Sequence, residues 1–218
     1  VELKRKEVLD QLEKNGVTVG AFLGIEGCSR IFGYRNKMEY TFGDMEKGGE
    51  PALGMHRKGR FMDIITVEDC RIAPTDFNKI VAAALEFFKS RGVPHYHKKD
   101  KTGFQRNLIL RWGEKRGELL VNLVTTSQRE LDREAFVQTL LDLELENEIV
   151  GITWTLNDGI ADFVYCDELR LLWGRDYYIE ELLGLQFKVS PFSFFQTNTE
   201  AAERIYSGVI EFIEDLEG

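Results

Sequence analysis

The stretch that decides the fold is NLILRWGEKRGELLVNLV, residues 107–124. It holds two apolar runs, 107–112 and 118–124, joined by the polar link Gly-Glu-Lys-Arg-Gly. Short runs rich in leucine, isoleucine and valine on both sides of a glycine-containing link are typical of a β-hairpin. The sequence therefore predicts two paired antiparallel strands here, and this is the strongest hairpin signal in the chain.

Strands and helices are mixed on both sides of this hairpin. Further strands are predicted at residues 34–42, 52–57, 149–156, 160–165 and 185–189, the first two joined as a hairpin by the glycine-rich link 46–51. Helices are predicted at residues 2–14, 77–90 and 129–143. The order contains no βαβ repeat, so the sequence predicts an α+β fold with a mixed, largely antiparallel sheet and flanking helices.

A last helix is predicted to begin at Thr197-Asn-Thr-Glu200. This tetrapeptide fits a capping box, in which Thr197 accepts a backbone N–H and Glu200 reaches back to the start of the helix. An apolar stripe follows at helical spacing, made of Ala202, Ile205, Tyr206, Val209, Ile213 and Leu216. Because the stripe needs a partner surface, we interpret this helix as the first element of a further domain.

Composition and charge bound the class of protein. The 218 residues are 43% hydrophobic and 30% charged, which is typical of a soluble globular protein. There is no apolar run of membrane length and no secretory signal, and three scattered cysteines indicate a reducing cytoplasm. The net charge of -9 argues against a nucleic-acid partner. Residues 51–116, however, carry fourteen Lys and Arg against seven Asp and Glu, and a locally basic face can bind phosphates because salt screens charges beyond about 10 Å.

Nucleotide and metal motifs are incomplete. The sequence has no G-x-G-x-x-G, no P-loop and no C-x-x-C motif. His95 and His97 could place two imidazoles on one side of a strand, but no third metal ligand is near them in sequence. Cys28 and Cys166 have no paired histidine and are interpreted as small apolar residues. A different enzyme built on Cys166 or on the histidine pair is therefore the poorest hypothesis.

The first candidate site is a basic face. Aromatic and basic residues interleave at 34–37 and 56–61, near predicted strand ends, and this combination suits an RNA backbone and an unstacked base. Strand alternation puts Arg35 and Lys37 together on an exposed face. The expected RNA-binding residues of this face are Arg35, Lys37, Arg57, Lys58 and Arg60. The alternative is that these cations only solvate the ends of the hairpin.

The second candidate site is the segment at residues 192–198. A helix N-terminus there offers free N–H groups and positive partial charge beside an amide and aromatic rings. The alternative is a set of core aromatic residues followed by an ordinary helix cap.

Six stretches, in order along nearly the whole chain, resemble the RNA 5-methyluridine methyltransferases. They are YRNKMEYTFG at 34–43, LGMHRKGRF at 53–61, VEDCRI at 67–72, TGFQRNL at 102–108, ELLVNLVT at 118–125 and FFQTN at 194–198. Enzymes of this family use S-adenosylmethionine to methylate uracil C5 in ribosomal or transfer RNA.

The resemblance implies two domains and three site residues. Residues 1–184 would form a central RNA-facing domain with a leading helix at 1–16, and residues 185–218 the start of a Rossmann-like methyltransferase domain. Gln196 matches the glutamine that contacts the methyl donor, and Phe194 matches an aromatic residue near the target uracil. Cys70 matches the last of the four cysteines that hold a 4Fe–4S cluster in many members, and the other three would lie before Val1.

The resemblance assigns no catalytic residue to this chain, because the family's donor loop, catalytic cysteine and general-base glutamate follow the region where it ends. We therefore interpret the sequence as part of an RNA methyltransferase that transfers a methyl group from S-adenosylmethionine to C5 of a uridine in rRNA or tRNA. The chain itself is expected to be inactive. The alternative is a standalone RNA-binding module without catalytic activity. In either case we expect a cytoplasmic monomer that makes no membrane contact.

Overall fold

The structure is a computed structural model that describes residues 1–160 and 166–217, with side chains described up to residue 213. It divides into two compact units, Val1–Ile31 and Phe32–Gly218. The first unit contains α1 (Glu2–Lys14), none of whose residues is buried. Within this unit the guanidinium of Arg5 lies 5.3 Å from the ring centre of Phe22. The helix predicted at residues 2–14 is confirmed.

The described part of the second unit is built on a seven-stranded sheet. Its strands are β1 (Lys37–Asp44), β2 (Pro51–Arg57), β3 (Arg60–Thr66), β4 (Gln105–Gly113), β5 (Glu118–Thr125), β6 (Glu148–Leu156) and β7 (Glu168–Gly174). They lie in the order β3-β2-β1-β4-β5-β6-β7, and the neighbouring pairs are antiparallel apart from β5 and β6. The predicted α+β fold with a largely antiparallel sheet is confirmed.

Two helices, α2 (Thr75–Ser90) and α3 (Arg133–Leu141), pack on one face of this sheet. The buried apolar residues of α2 recur every three or four positions, as in a helix with one apolar face: Phe77, Ile80, Val81, Ala84, Phe87 and Phe88. They form the main core with strand residues such as Tyr40 and Leu108. At the start of α2 the buried Asp76 carboxylate accepts the N–H groups of Glu146 and Asn147, at 3.0 and 2.9 Å, and so ties the helix to the segment before β6.

A separate hairpin, β8 (Tyr178–Leu182) and β9 (Leu185–Val189), lies on the opposite face of the sheet. Leu120 points to that face, because its neighbours Leu119 and Val121 belong to the main core, and it packs with Tyr178 and Val189. The last element is α4 (Thr199–Glu217). None of the described helices is long and apolar enough to cross a membrane. The predicted domain boundary between residues 184 and 185 falls in the turn of the hairpin and stays a prediction.

Most of the predicted elements are confirmed, with changes at their ends. The hairpin at residues 107–124 and the strands at 52–57, 149–156 and 185–189 are present. The first strand begins at Lys37 rather than at residue 34, and its alternating residues are buried as expected: Met38, Tyr40 and Phe42. Strands β3, β7 and β8 were not predicted. The strand predicted at 160–165 lies almost wholly outside the described residues.

Two local predictions are wrong. The cap of α4 is Asn198 and not Thr197, since the helix begins at Thr199 and the Asn198 Oδ1 atom accepts the N–H of Ala201 at 2.9 Å. Arg35 and Lys37 are half-buried and not exposed. Lys37 lies opposite Arg111 on the neighbouring strand β4, and the Arg35 Nε atom donates to the Lys37 carbonyl, so neighbouring residues surround part of each side chain.

Candidate functional site

The segment between β9 and α4, residues 190–198, carries three phenylalanines followed by the amide residues Gln196 and Asn198. It begins with a turn in which the Ser193 N–H donates to the carbonyl of Ser190 at 3.2 Å. The side chains of Phe192, Phe194 and Gln196 are exposed, whereas Ser193 and Phe195 between them are half-buried. Phe194 is 86% exposed, which is unusual for a ring of its size and shows that it is not a core residue.

An open cavity of about 450 Å³ lies beside Phe194 and Gln196. Its other lining residues come from the β8–β9 hairpin, α4 and the segment itself: Leu182, Leu183, Leu185, Phe187, Phe195 and Tyr206. Apolar walls with few polar groups are the usual make-up of a site for a small molecule or a base. The Gln196 carboxamide supplies both a hydrogen-bond donor and an acceptor at its edge.

The apolar stripe of α4 continues the surface of this cavity and is left uncovered by the described residues. Ile205, Val209 and Ile213 are 64%, 50% and 50% exposed, whereas Ala202 is buried. Contiguous exposed apolar residues mark a surface that binds another protein segment or a ligand. The stripe therefore agrees with the expectation that this helix needs a partner surface.

Three of the predicted cations lie together at the tip of the β2–β3 hairpin. Arg57 and Arg60 are paired at its end, and Lys58 lies in the two-residue turn between them. All three residues are exposed. We call these three residues the hairpin cations. Because their side chains are exposed, a phosphate backbone can reach them without a change in the fold.

A second cavity, of about 230 Å³, opens beside this hairpin. The His56 ring stacks on the Phe61 ring with centroids 4.4 Å apart, and the Lys98 ammonium lies 4.7 Å from the centre of the Phe61 ring. Burial lowers the pKa of His95, which also lines the cavity. Three lysines at this cavity were not singled out as RNA-binding residues by the sequence: Lys47, Lys98 and Lys99.

The other two predicted cations, Arg35 and Lys37, lie at the start of β1. Lys37 is directly opposite Arg111 on β4, and the Arg35 Nε atom donates to the Lys37 carbonyl at 3.1 Å. Burial, and after it the Arg111 guanidinium, lowers the pKa of Lys37, while Glu39 acts in the opposite direction. Arg111 also binds two backbone carbonyls of the segment 190–198. This end of the sheet therefore gathers positive charge next to the segment that carries Phe194 and Gln196.

The chain is similar over nearly its whole length to known RNA methyltransferases. It is 46% identical over 213 residues to an uncharacterized RNA methyltransferase of Clostridium tetani, a match that covers 98% of this chain and 47% of that protein. It is 29% identical over 202 residues to the tRNA (uracil(54)-C(5))-methyltransferase of Pyrococcus furiosus, covering 93% of this chain and 45% of that protein. The chain belongs to this family of RNA methyltransferases.

The fold agrees with this membership. The crystal structure of the Pyrococcus abyssi tRNA (uracil-54, C5)-methyltransferase in complex with S-adenosyl-L-homocysteine matches with a TM-score of 0.68 at 24% identity, covering 84% of this chain and 42% of that one. No family model matches the chain. The chain spans about half the length of the curated relatives that it matches.

Cys70 is half-buried against the main core, and its backbone N–H donates to the Asn78 Oδ1 atom at 3.0 Å. The described residues contain no group of three or more His, Cys, Asp or Glu side chains that could hold a metal ion. A single thiolate is one of the four ligands that a 4Fe–4S cluster requires. The described residues therefore do not complete a cluster, and the role of Cys70 stays a prediction.

Sequence reasoning missed three buried polar residues beside the segment 190–198. Asn36, Arg111 and Glu180 are 1%, 3% and 0% exposed. Asn36 directly precedes β1 and is buried like Met38 and Tyr40 at alternate positions after it. A polar residue in line with an apolar face was the one available signal in the sequence.

Proposed function

We propose that this chain is the RNA-facing part, together with the start of the methyl-transfer domain, of an S-adenosylmethionine-dependent enzyme that methylates C5 of a uridine in tRNA or rRNA. The observation that carries the proposal is the presentation of an exposed ring, Phe194, and a carboxamide, Gln196, beside an open apolar cavity. The names of the relatives, one of which specifies uracil C5 of a tRNA, support the choice of reaction.

In this proposal Phe194 receives the base. A uracil that leaves its helix loses stacking, and a ring that is already exposed restores part of that interaction. Gln196 lines the same cavity and donates to or accepts from the methyl donor or the edge of the base. S-adenosylmethionine, when bound, supplies an electrophilic methyl group, and the residues of this chain hold and orient what the group reacts with.

The groups that form and break bonds are proposed to lie in a part of the protein beyond this chain. Two facts support this: the chain spans 47% of the Clostridium tetani relative, and the apolar stripe of α4 is uncovered by the described residues. A 4Fe–4S cluster with Cys70 as one ligand is proposed only for a longer protein that supplies three further cysteines.

The hairpin cations are proposed to hold the RNA backbone. Exposed Lys and Arg side chains bind phosphates with little regard to sequence, and they give binding its dependence on salt. The choice of the target uridine then depends on how the RNA places one base next to Phe194.

Methyl transfer from labelled S-adenosylmethionine to total RNA tests this function. A full-length protein that contains the chain should label RNA, and mass spectrometry of the digested RNA should place the label on 5-methyluridine. The 218-residue chain should give no label above background. Labelling by the short chain would contradict the placement of the bond-forming groups, and a full-length protein that labels no RNA would contradict the methyltransferase assignment.

A matched pair of variants tests the site itself. Gln196→Ala in the full-length protein should lower the rate of transfer by roughly 10- to 100-fold, the range expected when a group that positions the substrate is removed. Gln186→Ala is the control, because Gln186 also lies near the surface but is not among the residues that line the cavity. Equal rates for the two variants would remove Gln196 from the site.

The alternative function is RNA binding without modification. It shares the hairpin cations with the first proposal but gives no reason for an apolar stripe along α4. Under this alternative, deletion of the whole gene would leave every 5-methyluridine of the cell in place.

A further inference from the structure

Asn36 makes three hydrogen bonds to the chain around Phe194 and Gln196. Its backbone N–H donates to the Thr197 carbonyl at 2.9 Å. Its Nδ2 atom donates to the Gln196 carbonyl at 2.8 Å and to the Thr199 Oγ1 atom at 2.9 Å. The Gln196 carbonyl can only accept, so the orientation of the Asn36 amide is fixed. Asn36 is held in turn by the sheet, since its carbonyl accepts the N–H of Trp112 at 2.8 Å.

Thr199 passes this connection on to Glu180. Its hydroxyl accepts from Asn36 and donates to the Glu180 Oε2 atom at 2.9 Å. The Glu180 carboxylate also accepts the N–H groups of Glu114 at 3.3 Å and Glu181 at 3.0 Å. A fully buried carboxylate is kept in place only when such donors surround it. Asn36, Thr199 and Glu180 therefore form a continuous chain of hydrogen bonds from the start of β1 through the start of α4 to β8.

Arg111 anchors the other end of the same segment. Its Nε atom donates to the Pro191 carbonyl at 3.0 Å, and its Nη2 atom donates to the Ser193 carbonyl at 2.6 Å. A guanidinium offers its donors in a rigid fork, so two bonds to two carbonyls fix the local backbone direction. The residue is 3% exposed, and a buried charge is costly unless its donors are used.

Asn36 and Arg111 bind the backbone of the segment. They do not bind the side chains of the segment that line the cavity. Asn36 and Arg111 bind the carbonyls of residues 191, 193, 196 and 197. The side chains of Phe194 and Gln196 line the open cavity. The placement of these two side chains is therefore set by residues that belong to the main sheet.

We propose that Asn36 and Arg111, with Thr199 as the link to Glu180, are positioning residues that fix Phe194 and Gln196 for methyl transfer. The inference rests on the proposed function. Rigid positioning matters because a displacement of about 1 Å can cost roughly 100-fold in rate. None of these residues touches the reacting atoms in this proposal, and they act through the backbone that they hold.

Hydrogen exchange of the 218-residue chain tests the anchoring without any activity. Thr199→Val removes the hydroxyl that links Asn36 to Glu180, and Thr199→Ser restores it. Thr199→Val should speed exchange in peptides covering residues 190–199 by roughly 3- to 10-fold, the effect of removing one or two hydrogen bonds on a local opening. Peptides from α2 and β5 should exchange as in the unsubstituted chain, and Thr199→Ser should restore the slow rate. Unchanged exchange in Thr199→Val would overturn the proposal.

Kinetics of the full-length protein test the effect on the reaction. Asn36→Asp replaces the Nδ2 donor by a carboxylate oxygen, which faces the Gln196 carbonyl and the Thr199 Oγ1 atom and cannot donate to either. This variant should lower kcat by roughly 10- to 100-fold with little change in KM for RNA. Asn107→Asp is the control, because Asn107 is also a buried asparagine of the sheet, and its amide contacts Thr41 instead. A kcat loss in Asn107→Asp equal to that in Asn36→Asp would show a general folding effect and overturn the proposal. If the unsubstituted protein transfers no methyl group, the proposed function is wrong instead. The hydrogen-exchange experiment needs no activity, so it still tests whether these residues anchor the segment.

Discussion

Arg57 and Arg60 face each other across the β2–β3 hairpin, so two positive charges are paired directly on neighbouring strands. Like charges in this arrangement destabilise a sheet. Asp63 lies 3.5 Å from Arg60 and offsets part of the effect. Lys58 adds a third charge in the turn, where Gly59 adopts a φ of 81° that suits a two-residue loop. The tip thus gathers positive charge at a cost to the stability of its own hairpin, and this supports the proposal that the tip binds phosphates.

Replacing the three hairpin cations by alanine should weaken RNA binding and leave folding intact. Each phosphate-binding cation that is removed should reduce the slope of log affinity against log salt by about one unit, and stability should stay level or rise slightly as like charges are removed. Fluorescence titration with single-stranded RNA at several salt concentrations measures the slope. The control replaces three exposed cations of α1, Lys4, Lys6 and Lys14. If the hairpin variant binds as tightly as the unsubstituted chain, the hairpin has no part in holding RNA.

Phe194→Ala should weaken RNA binding in a different way. Loss of stacking on one base costs roughly 1–3 kcal/mol, and the salt slope should not change because no charge is removed. The same titration measures both quantities. Phe192→Ala is the matched control, since Phe192 is also exposed but does not line the cavity. A change of salt slope in Phe194→Ala, or an equal loss of affinity in the two variants, would contradict a stacking role.

Glu180 should make stability fall as the pH rises from acid towards neutral. Burial raises the pKa of its carboxyl above the ordinary value of 4.5, although backbone N–H groups and the Thr199 hydroxyl oppose the rise. The folded state then binds the proton more tightly than the unfolded state, so this contribution is complete below pH 4.5 and is lost as the pH rises through the folded-state pKa. Urea unfolding of the unsubstituted chain and of Glu180→Gln at a series of pH values isolates the effect. The difference in free energy of unfolding should decline over that window, and a constant difference would refute the raised pKa.

Phe136→Ala should strongly destabilise the second unit. Phe136 is 0% exposed and packs against α2 in the main core, with its ring centre 5.2 Å from that of Phe87 and 5.8 Å from that of Phe88. Truncation of a buried ring leaves a cavity and costs about 3–5 kcal/mol. Chemical unfolding followed by circular dichroism measures the loss of stability. Phe212→Ala, at a ring that is 65% exposed on α4, should cost much less, and similar losses at the two positions would argue against this core.

Tyr40→Phe should stabilise the chain. The Tyr40 hydroxyl is buried and has no hydrogen-bond partner among the described residues. Burial is also the main cause of the raised pKa of this phenol. Removal of an unsatisfied buried polar group should add about 1 kcal/mol to the free energy of unfolding. Tyr206→Phe, at an exposed ring, should have little effect in the same unfolding experiment. A loss of stability in Tyr40→Phe would indicate that the hydroxyl has a partner.

The predictable parts of the fold are the elements whose apolar residues recur at a regular spacing within a short stretch of sequence. The hairpin at 107–124 has two long apolar runs, and β1 alternates buried and half-buried residues along most of its length. Strand β3 was missed because it is an edge strand with mostly exposed residues and shows no such period. Strand β8 was missed because Glu180 is buried inside it, and the donors that allow this come largely from distant parts of the chain.

The candidate site was predictable only in part, for the same reason. Phe194 and Gln196 could be found from a local stretch, because a family motif marks them. Asn36 and Gln196 are 160 positions apart, and Arg111 reaches the segment only because β4 is paired with β1. Such contacts depend on strand register and sheet order, which short-range patterns do not contain.

The sheet order also bears on how the protein is made. β1 lies next to β4 in the sheet, but β2, β3 and α2 lie between these two strands in the chain. During translation β1, β2 and β3 leave the ribosome before α2 and β4. The side chains of Tyr40 and Phe42 therefore stay without their core partners until α2 and β4 have been made. Because translation adds roughly 5–20 residues per second, this interval lasts for seconds. An unpaired strand edge can pair with other chains, so these three strands are open to aggregation during this interval.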